Sequence, residues 1–449
     1  MTTLLPSTMS RIDKLPMDLY AQDPTESRYA RECRGLVIVV GDDVATSHNL
    51  QTALLTSINL GAKCFSGNVQ VQASPSVWHA PTLGRLSIAT TLGEAMREFG
   101  ARPLDDETLL GRKHLILGSA QALRESVRIT YDGWNVAVGP AAEQPRLNER
   151  PYCALASVAA AAIGVGELFS ELMRLSIEAC RRRVAFSLWL PIQPITSAGS
   201  EGEPISEFPS HLALYGLGHL GQAYLWSIVS LPLSAPEHMT LLLCDDDKVE
   251  DPNVETGALL RPNPTIELKT RMAAEWLKRR GFTETRLVER RIDAYFHWRD
   301  ERMRIALSGF DDNRARQWLA SGGFDLMLDS GLGGKAGNFD SIAFRAWPNP
   351  RPAEELWPIE EAPEEKPDDA PPEECGRILV KEVSVAVPFV GAMAACVVIA
   401  EVIRRIAQGP TFNEIRLRVC SLSSTSPSGQ MVNAPSLMRG LSTQPLNAL

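Results

Sequence analysis

The sequence lacks the cysteine pairs that hold structural zinc. It contains eight cysteines in 449 residues, and no two of them are spaced as C-x-x-C. Because paired thiolates at that spacing are the usual ligands of a cysteine-rich zinc site, we expect no zinc. Scattered cysteines in a long chain are typical of a reducing cytoplasm, where most are small apolar fillers. The cysteines are Cys33, Cys64, Cys153, Cys180, Cys244, Cys375, Cys396 and Cys420.

The chain also lacks an excess of positive charge and a long apolar run. Its net charge is -9 at pH 7, which argues against a nucleic-acid partner. The longest uncharged apolar stretch, 383–400, is split by Pro388, so its helical part is too short for a membrane span. Residues 1–30 contain no apolar segment of the kind that directs secretion. The composition therefore predicts a cytoplasmic protein that does not enter a membrane.

The apolar segments that are present predict two α/β halves. Residues 36–40 form a predicted buried strand, and the turn after it has a single glycine, Gly41, before a helix. A small, polar, proline-bearing linker at 196–210 precedes a second half in which strands alternate with helices. Such alternation implies a mostly parallel sheet with helices on both faces.

The domain boundaries follow from these segments. We expect an N-terminal half at 1–195 and a C-terminal half at 211–449. The second half contains an acidic, proline-rich crossover segment at 346–375, which cannot bury much apolar surface, and a final helix at 388–408. The apolar helix that begins near Pro151 contains two glutamates, so it is predicted to be a buried core helix.

A glycine-rich turn opens the second half. Residues 211–225 are "HLALYGLGHLGQAYL", an apolar strand followed by Gly216, Gly218 and Gly221 and then a predicted helix. This arrangement cradles a phosphate, because backbone N–H groups and the helix N-terminus face it. Asp245, at the end of the next strand, has the position of a ribose ligand. A nicotinamide, a flavin or ATP all remain compatible with these residues.

Polar residues farther along the chain favour nucleotidyl transfer over hydride transfer. Asp247 and Asn253 follow Asp245, Lys269 lies in the next predicted helix, and Asp312 follows a later strand. A nicotinamide site needs no second acid, lysine or late aspartate. A lysine can neutralise phosphates, and an aspartate can hold Mg²⁺ where pyrophosphate departs.

Together these motifs resemble those of the ThiF/MoeB-like and ubiquitin-activating (E1-like) enzymes. The family pattern is G-x-G-x-x-G, D-x-D-x-V, N-x-x-R-Q, a lysine and D-N, and the resemblance covers about 211–408. It implies a Rossmann-like adenylation fold with ATP and Mg²⁺ as cofactors. It also implies that Asp245 binds ribose, Lys269 neutralises the phosphates and Asp312 holds Mg²⁺. The other positions that it places at the nucleotide are Gly216, Gly218, Gly221, Asp247, Asn253 and Asn313.

The chain departs from the family pattern at one arginine. Where the family has N-x-x-R-Q, this chain has Asn253-Val-Glu-Thr256-Gly257. Arg261, in the same loop, either substitutes for that arginine as a cofactor-binding residue or is a solvated loop residue. The sequence leaves both interpretations open.

A second arginine motif precedes the glycine-poor half. The sequence "RYARE" at 28–32 resembles the family's R-Y-x-R-Q helix, whose arginine reaches the ATP of the other subunit. The resemblance implies that Arg31 crosses to the ATP on Gly216. It also implies two fused adenylation halves that form a pseudo-dimer, in which the N-terminal half is inactive and the C-terminal half keeps the ATP site.

The resemblance implies ATP-dependent activation of a ubiquitin-like protein. Its C-terminal carboxylate would be adenylated and then transferred as a thioester to Cys375, which follows the acidic segment, for use by a ubiquitin-conjugating (E2-like) partner. The compact size of the chain resembles that of bacterial activating enzymes that are encoded with ubiquitin-like conjugation systems and act in antiphage defence. The alternatives are a sulfur-carrier activator, a peptide adenylyltransferase, or a non-catalytic scaffold of the same fold.

Overall fold

The computed structural model describes residues 10–20, 35–104, 113–122, 125–359, 384–422, 427–432 and 440–447. The predicted site residues Arg31 and Cys375 lie outside these ranges, as do the rest of the "RYARE" motif and the acidic segment beyond residue 359. Within the described ranges the chain is a mixed α/β protein with two large sheets.

The first sheet has seven strands, which run in the spatial order β3-β2-β1-β4-β5-β6-β7. The first five in that order are parallel, and β6 and β7 are antiparallel. The strands are β1 (Leu36–Val40), β2 (Val69–Gln72), β3 (Ala101–Pro103), β4 (His114–Leu117), β5 (Ser126–Asp132), β6 (Asn135–Pro140) and β7 (Val184–Ser187).

The second sheet has eight strands, in the order β11-β10-β9-β12-β13-β14-β15-β16. It is parallel from β11 to β13 and antiparallel from there on. When the strands of each sheet are numbered in chain order, strands β9 to β15 of the second sheet have the same spatial order as strands β1 to β7 of the first sheet. The strands are β9 (His211–Tyr215), β10 (Thr240–Cys244), β11 (Glu284–Val288), β12 (Ile305–Ser308), β13 (Leu326–Leu332), β14 (Ser341–Trp347), β15 (Thr411–Arg418) and β16 (Ser428–Val432).

A short third sheet joins the two ends of the second half. Strand β8 (Glu207–Pro209) pairs antiparallel with β17 (Thr443–Pro445). The predicted linker at 196–210 therefore ends in a strand, which its composition did not indicate.

Ten α-helices lie among the described residues. They are α1 (Lys14–Tyr20), α2 (His48–Cys64), α3 (Pro75–His79), α4 (Leu92–Glu98), α5 (Ala154–Leu172), α6 (His219–Ser230), α7 (Lys269–Lys278), α8 (Asn313–Ala320), α9 (Ala353–Leu356) and α10 (Pro388–Ile406). Local sequence sets several of their starts: the Ser47 side chain accepts the Leu50 N–H at the start of α2, and Pro388 occupies the first turn of α10.

Helices pack the two halves together. Helix α5 packs on the first sheet and against α2 and α10, and α10 packs on the second sheet and against α6. Helix α5 is long and apolar enough to span a membrane, but 89% of its most apolar 18-residue window is buried. At Gly166 an added Cβ would lie 3.0 Å from the Phe389 ring, so the glycine lets α5 approach α10. The prediction of a buried core helix is confirmed.

Candidate active site

A cleft of about 940 Å³ lies at the carboxyl edge of the second sheet. It opens between the neighbouring strands β9 and β12. From β9 the chain continues to β10 on one side of the sheet, and it later returns to form β12 on the other side. Ligands of open α/β sheets bind at such topological switch points. Gly216, Gly218, Asp245, Lys269 and Asp312, which come from five separate motif positions, all line this cleft.

The glycine-rich turn is built by close backbone approach. Gly216 has a φ of +84°, and an added Cβ at Gly221 would lie 1.9 Å from the Gly216 carbonyl oxygen. Gly309, after β12, approaches the same carbonyl, since its Cβ would lie 2.6 Å away. At Gly218, by contrast, an added Cβ would meet nothing within 4 Å. Three glycines therefore hold the turn against β12, and Gly218 faces open space at the start of α6.

Asp245 braces the turn from the adjacent strand end. One carboxylate oxygen accepts the Leu217 N–H at 2.5 Å, and the other accepts the Asp247 N–H at 2.8 Å. Burial raises the pKa of this carboxyl group, although these hydrogen bonds and Lys269 act in the opposite direction. The sequence predicted a ribose ligand here; the structure adds that Asp245 fixes the backbone of the phosphate turn.

Lys269 is held in the cleft by Asp247. The Lys269 ammonium lies 2.7 Å from an Asp247 carboxylate oxygen, with the lysine side chain 10% exposed and the aspartate 56% exposed. The Lys269 N–H also donates to the Asp247 carbonyl at 3.0 Å, which begins α7 beside the strand end. The ion pair keeps the buried ammonium aimed at the cleft and leaves the carboxylate accessible to a ligand or cation.

Asp312 caps helix α8 and lines the same cleft. One oxygen of this exposed carboxylate accepts the Arg314 N–H at 2.8 Å. The next residue, Asn313, donates instead to the Pro358 carbonyl at 2.7 Å and accepts from Arg316 at 2.7 Å, and it does not line the cleft. The structure thus places Asp312 in the cleft lining and turns the Asn313 side chain to other partners, outside the lining where it was predicted to bind the nucleotide.

Arg316 fixes the turn that carries Asp312. Its guanidinium donates to buried Asp329 at 3.0 Å and to the Phe310 carbonyl at 2.5 Å. The indole of Trp357 donates to the second Asp329 oxygen at 2.9 Å. This network ties the end of β12, strand β13 and the start of the acidic segment into one support for the cleft wall.

The loop that departs from the family pattern also reaches the cleft. Asn253 and buried Thr256 both line it, and the Asn253 side chain accepts the Glu250 N–H at 2.9 Å. Arg261 does not line it. Its guanidinium donates to Asn59 at 3.0 Å and lies 4.3 Å from the centre of the Phe99 ring, in the first half. Burial lowers the pKa of Arg261 to about 10.

The position of Arg261 matches neither interpretation. The residue is outside the cleft lining and its guanidinium joins the two halves, where it stacks on an aromatic ring and bonds to Asn59. The prediction of Arg261 as a cofactor-binding residue is not supported by its position.

Comparison with known proteins identifies the family. Residues 35–188 match the model of the BilD N-terminal domain, and residues 208–409 match that of the BilD C-terminal domain. The "Bacterial E1-like protein BilD" of Collimonas sp. (strain OK412) is 32% identical over 397 residues, which are 85% of this chain and 84% of that protein. The chain belongs to the BilD family of bacterial E1-like proteins. This confirms the E1-like relationship that the motifs indicated.

Among solved structures, the E. coli MccB crystal structure with MccA-N7isoASN resembles part of the chain. It is 15% identical with a TM-score of 0.34, and the match covers 50% of this chain and 64% of that one. The chain thus spans a little under two thirds of the length of this structure.

Sequence reasoning missed the contribution of the N-terminal segment in this BilD-family chain. Arg11 lines the cleft although it precedes β9 by 200 residues. Arg290 and Arg291, which follow β11, line it as well. None of these arginines lies in a motif, so only the fold brings them to the glycine-rich turn.

The equivalent edge of the first sheet is filled by its own side chains. An added Cβ at Gly41, which follows β1, would lie 2.4 Å from the Ser119 backbone nitrogen. Asp43 accepts the Ser119 N–H at 2.9 Å and forms an ion pair with Arg146, which also pairs with Glu149. The loop after β4 therefore closes over the position that the glycine-rich turn keeps open in the second half.

The open space at Gly218 gives a direct test of nucleotide binding. Gly218→Ala should keep the fold, since its Cβ meets nothing within 4 Å, but should block approach of a phosphate to the backbone. Loss of hydrogen bonds to a charged phosphate predicts ATP binding weaker by roughly 10- to 100-fold. Isothermal titration calorimetry measures the affinity. Gly337→Ala is the control, because Gly337 also faces open space and lies outside the cleft lining; equal affinity in the two variants would place the phosphates elsewhere.

Proposed function

We propose that this protein adenylates the C-terminal carboxylate of a ubiquitin-like protein, using ATP and Mg²⁺. The observation that carries the proposal is the cleft itself, where the glycine-rich turn, Lys269 and Asp312 converge in a chain of the bacterial E1-like family. Carboxylates are poor acylating agents, and adenylation attaches the leaving group that amide or thioester formation needs.

The residues of the cleft fit a nucleoside triphosphate. The open face of Gly218 and the N-terminus of α6 leave room for phosphate against backbone N–H groups. The Lys269 ammonium neutralises phosphate charge, and Asp245 holds the turn in shape while facing the ribose. The exposed carboxylates of Asp312 and Asp247 are oxygen ligands of the type that Mg²⁺ prefers.

Each group has a defined part in the reaction. When bound, ATP supplies an α-phosphorus that the carboxylate attacks, and the bond to the β-phosphate breaks to release pyrophosphate. Lys269 and the backbone of the turn hold the phosphates in line with the incoming carboxylate. Asp312 would hold Mg²⁺ where pyrophosphate departs, and the positive charge of the ion would stabilise the developing negative charge.

We further propose that the two halves form a pseudo-dimer with one working site. The repeated strand order supports a common origin of the halves, and the Asp43–Arg146–Glu149 ion pairs support an inactive first half. Arg31, which lies outside the described residues, is proposed to cross to the phosphates of the second half.

The later steps of the pathway belong to the same proposal. The adenylate would pass to the thiol of Cys375 and from there to an E2-like enzyme, in the cytoplasm where ATP is available. A role in antiphage defence is proposed from the family resemblance alone.

Pyrophosphate exchange tests the proposed function. Labelled pyrophosphate should enter ATP when the protein is mixed with Mg²⁺ and a ubiquitin-like protein encoded beside it. The same partner lacking its C-terminal residue is the control, because the attacking carboxylate is then displaced. Exchange without any partner, or equal exchange with both partners, would contradict activation of that carboxylate.

A further inference from the structure

The N-terminal segment of the chain is anchored beside the nucleotide cleft. Ile12 and Leu15 are 0% exposed, and helix α1 packs beside residues 336–338 of the second half. The Arg11 N–H donates to a carboxylate oxygen of Glu255 at 3.0 Å. Arg11 is therefore fixed on both sides, by buried apolar neighbours that follow it and by a hydrogen bond to the loop of the second half.

The hydrogen bond between Arg11 and Glu255 lies next to Thr256, the position at which the family has an arginine. Glu255 precedes Thr256, and both Thr256 and Arg11 line the cleft. Thr256 is buried and has no positive charge to offer. Arg11 thus brings a guanidinium to the same wall of the cleft from a distant part of the sequence.

The Arg11 guanidinium is available for a ligand. Among the residues that the structure describes, it forms no hydrogen bond or ion pair. Arg11 and His219, the first residue of α6, both line the cleft. Arg11 therefore shares the cleft with the N-terminus of α6, where a phosphate would bind.

A guanidinium on this wall adds to the positive charge that Lys269, Arg290 and Arg291 bring to the cleft. A triphosphate carries several negative charges, whereas the Lys269 charge is shared with Asp247. Arg261 is packed on Phe99 in the interface between the halves. A planar guanidinium with several N–H donors matches phosphate oxygens better than an ammonium does.

We propose that Arg11 binds the β- and γ-phosphates of ATP and takes the place of the arginine absent at Thr256. The inference rests on the proposed function, since it assigns a residue to the same nucleotide site. On this proposal the segment that precedes β1 contributes a residue to the active site of the second half.

Comparison of two nucleotides tests this role. Arg11→Ala should weaken ATP binding by roughly 10- to 100-fold, the range for losing hydrogen bonds to a charged group, and leave AMP binding unchanged because AMP lacks the outer phosphates. Arg11→Lys should recover part of the loss. Lys14→Ala is the matched control: it removes one positive charge from the same segment, where Lys14 pairs with Asp18 and does not line the cleft. Calorimetry with the full chain gives both affinities.

The outcomes separate the inference from the function on which it rests. If wild type binds ATP and shows partner-dependent exchange while Arg11→Ala binds ATP as tightly, Arg11 is not a phosphate ligand. If Arg11→Ala loses ATP and AMP alike, with a lower melting temperature, Arg11 is a structural residue and the proposal is also overturned. If wild type binds no ATP, the proposed function fails, and the assignment of Arg11 fails with it.

Discussion

Asp312→Asn should abolish partner-dependent pyrophosphate exchange without changing the melting temperature. The Asp312 carboxylate lines the cleft and caps helix α8 through the Arg314 N–H. Asparagine caps a helix about as well as aspartate, but it lacks the charge that binds Mg²⁺. Loss of a metal that stabilises departing pyrophosphate predicts a fall in exchange of more than about 100-fold.

A second substitution at the same residue separates chemistry from capping. Asp312→Ala removes both functions, so it should lose exchange and about 1 kcal/mol of stability as well. A matched control is Asp300→Asn, which alters an aspartate outside the cleft lining. Near-normal exchange in Asp312→Asn would reduce Asp312 to a helix cap and remove it from the catalytic site.

Cys375→Ala should eliminate the thioester adduct and preserve pyrophosphate exchange. Adenylation precedes thiol transfer, so only the later step needs the thiolate. Burial raises the thiol pKa of five other cysteines and so keeps them protonated. For Cys153 and for Cys244 the thiol pKa is raised to about 12. The other three are Cys180, Cys396 and Cys420. Since Cys64 is buried as well, Cys33 and Cys375, outside the described residues, are the remaining candidates.

A non-reducing gel with ATP, Mg²⁺ and the partner measures the adduct, which thiol reductant should remove. Cys33→Ala is the matched control and should keep it. If the adduct persists in Cys375→Ala, the nucleophile is another residue. If wild type forms none, the reaction ends at the adenylate.

Local sequence was sufficient to predict the strand, the turn and the helix of the glycine-rich segment. The apolar strand, the glycines and the helix of residues 211–225 follow one another directly, so their geometry depends on neighbouring residues. The positions of Asp245 and Lys269 could also be predicted, because Asp245 directly follows a strand and Lys269 begins a helix. The structure places Gly216, Gly218, Asp245 and Lys269 in the lining of one cleft, whereas Gly221 lies behind it, against the Gly216 carbonyl.

Tertiary packing decided what the sequence did not show. Arg11 reaches the cleft because Ile12 and Leu15 are buried and helix α1 packs beside residues 336–338 of the second half. Arg261 turns away because Phe99 and Asn59 of the first half lie beside it. Short antiparallel strands such as β8 and β17 pair across more than 200 residues and have no periodicity of their own. Contacts of this kind depend on the assembled fold, whereas the motifs depend on local backbone.

The fate of labelled phosphate tests the central claim most directly. The protein is incubated with Mg²⁺, its ubiquitin-like partner and ATP that is labelled either at the α- or at the γ-phosphate, and the partner is isolated under acid conditions. The Cys375→Ala variant is used so that the reaction stops at the adenylate, because transfer to a thiol would release the α-label as AMP. We expect the α-label on the C-terminus of the partner, and the γ-label in released pyrophosphate. The γ-label on either protein, or its release as inorganic phosphate without α-labelled partner, would show phosphoryl transfer or hydrolysis and contradict adenylation.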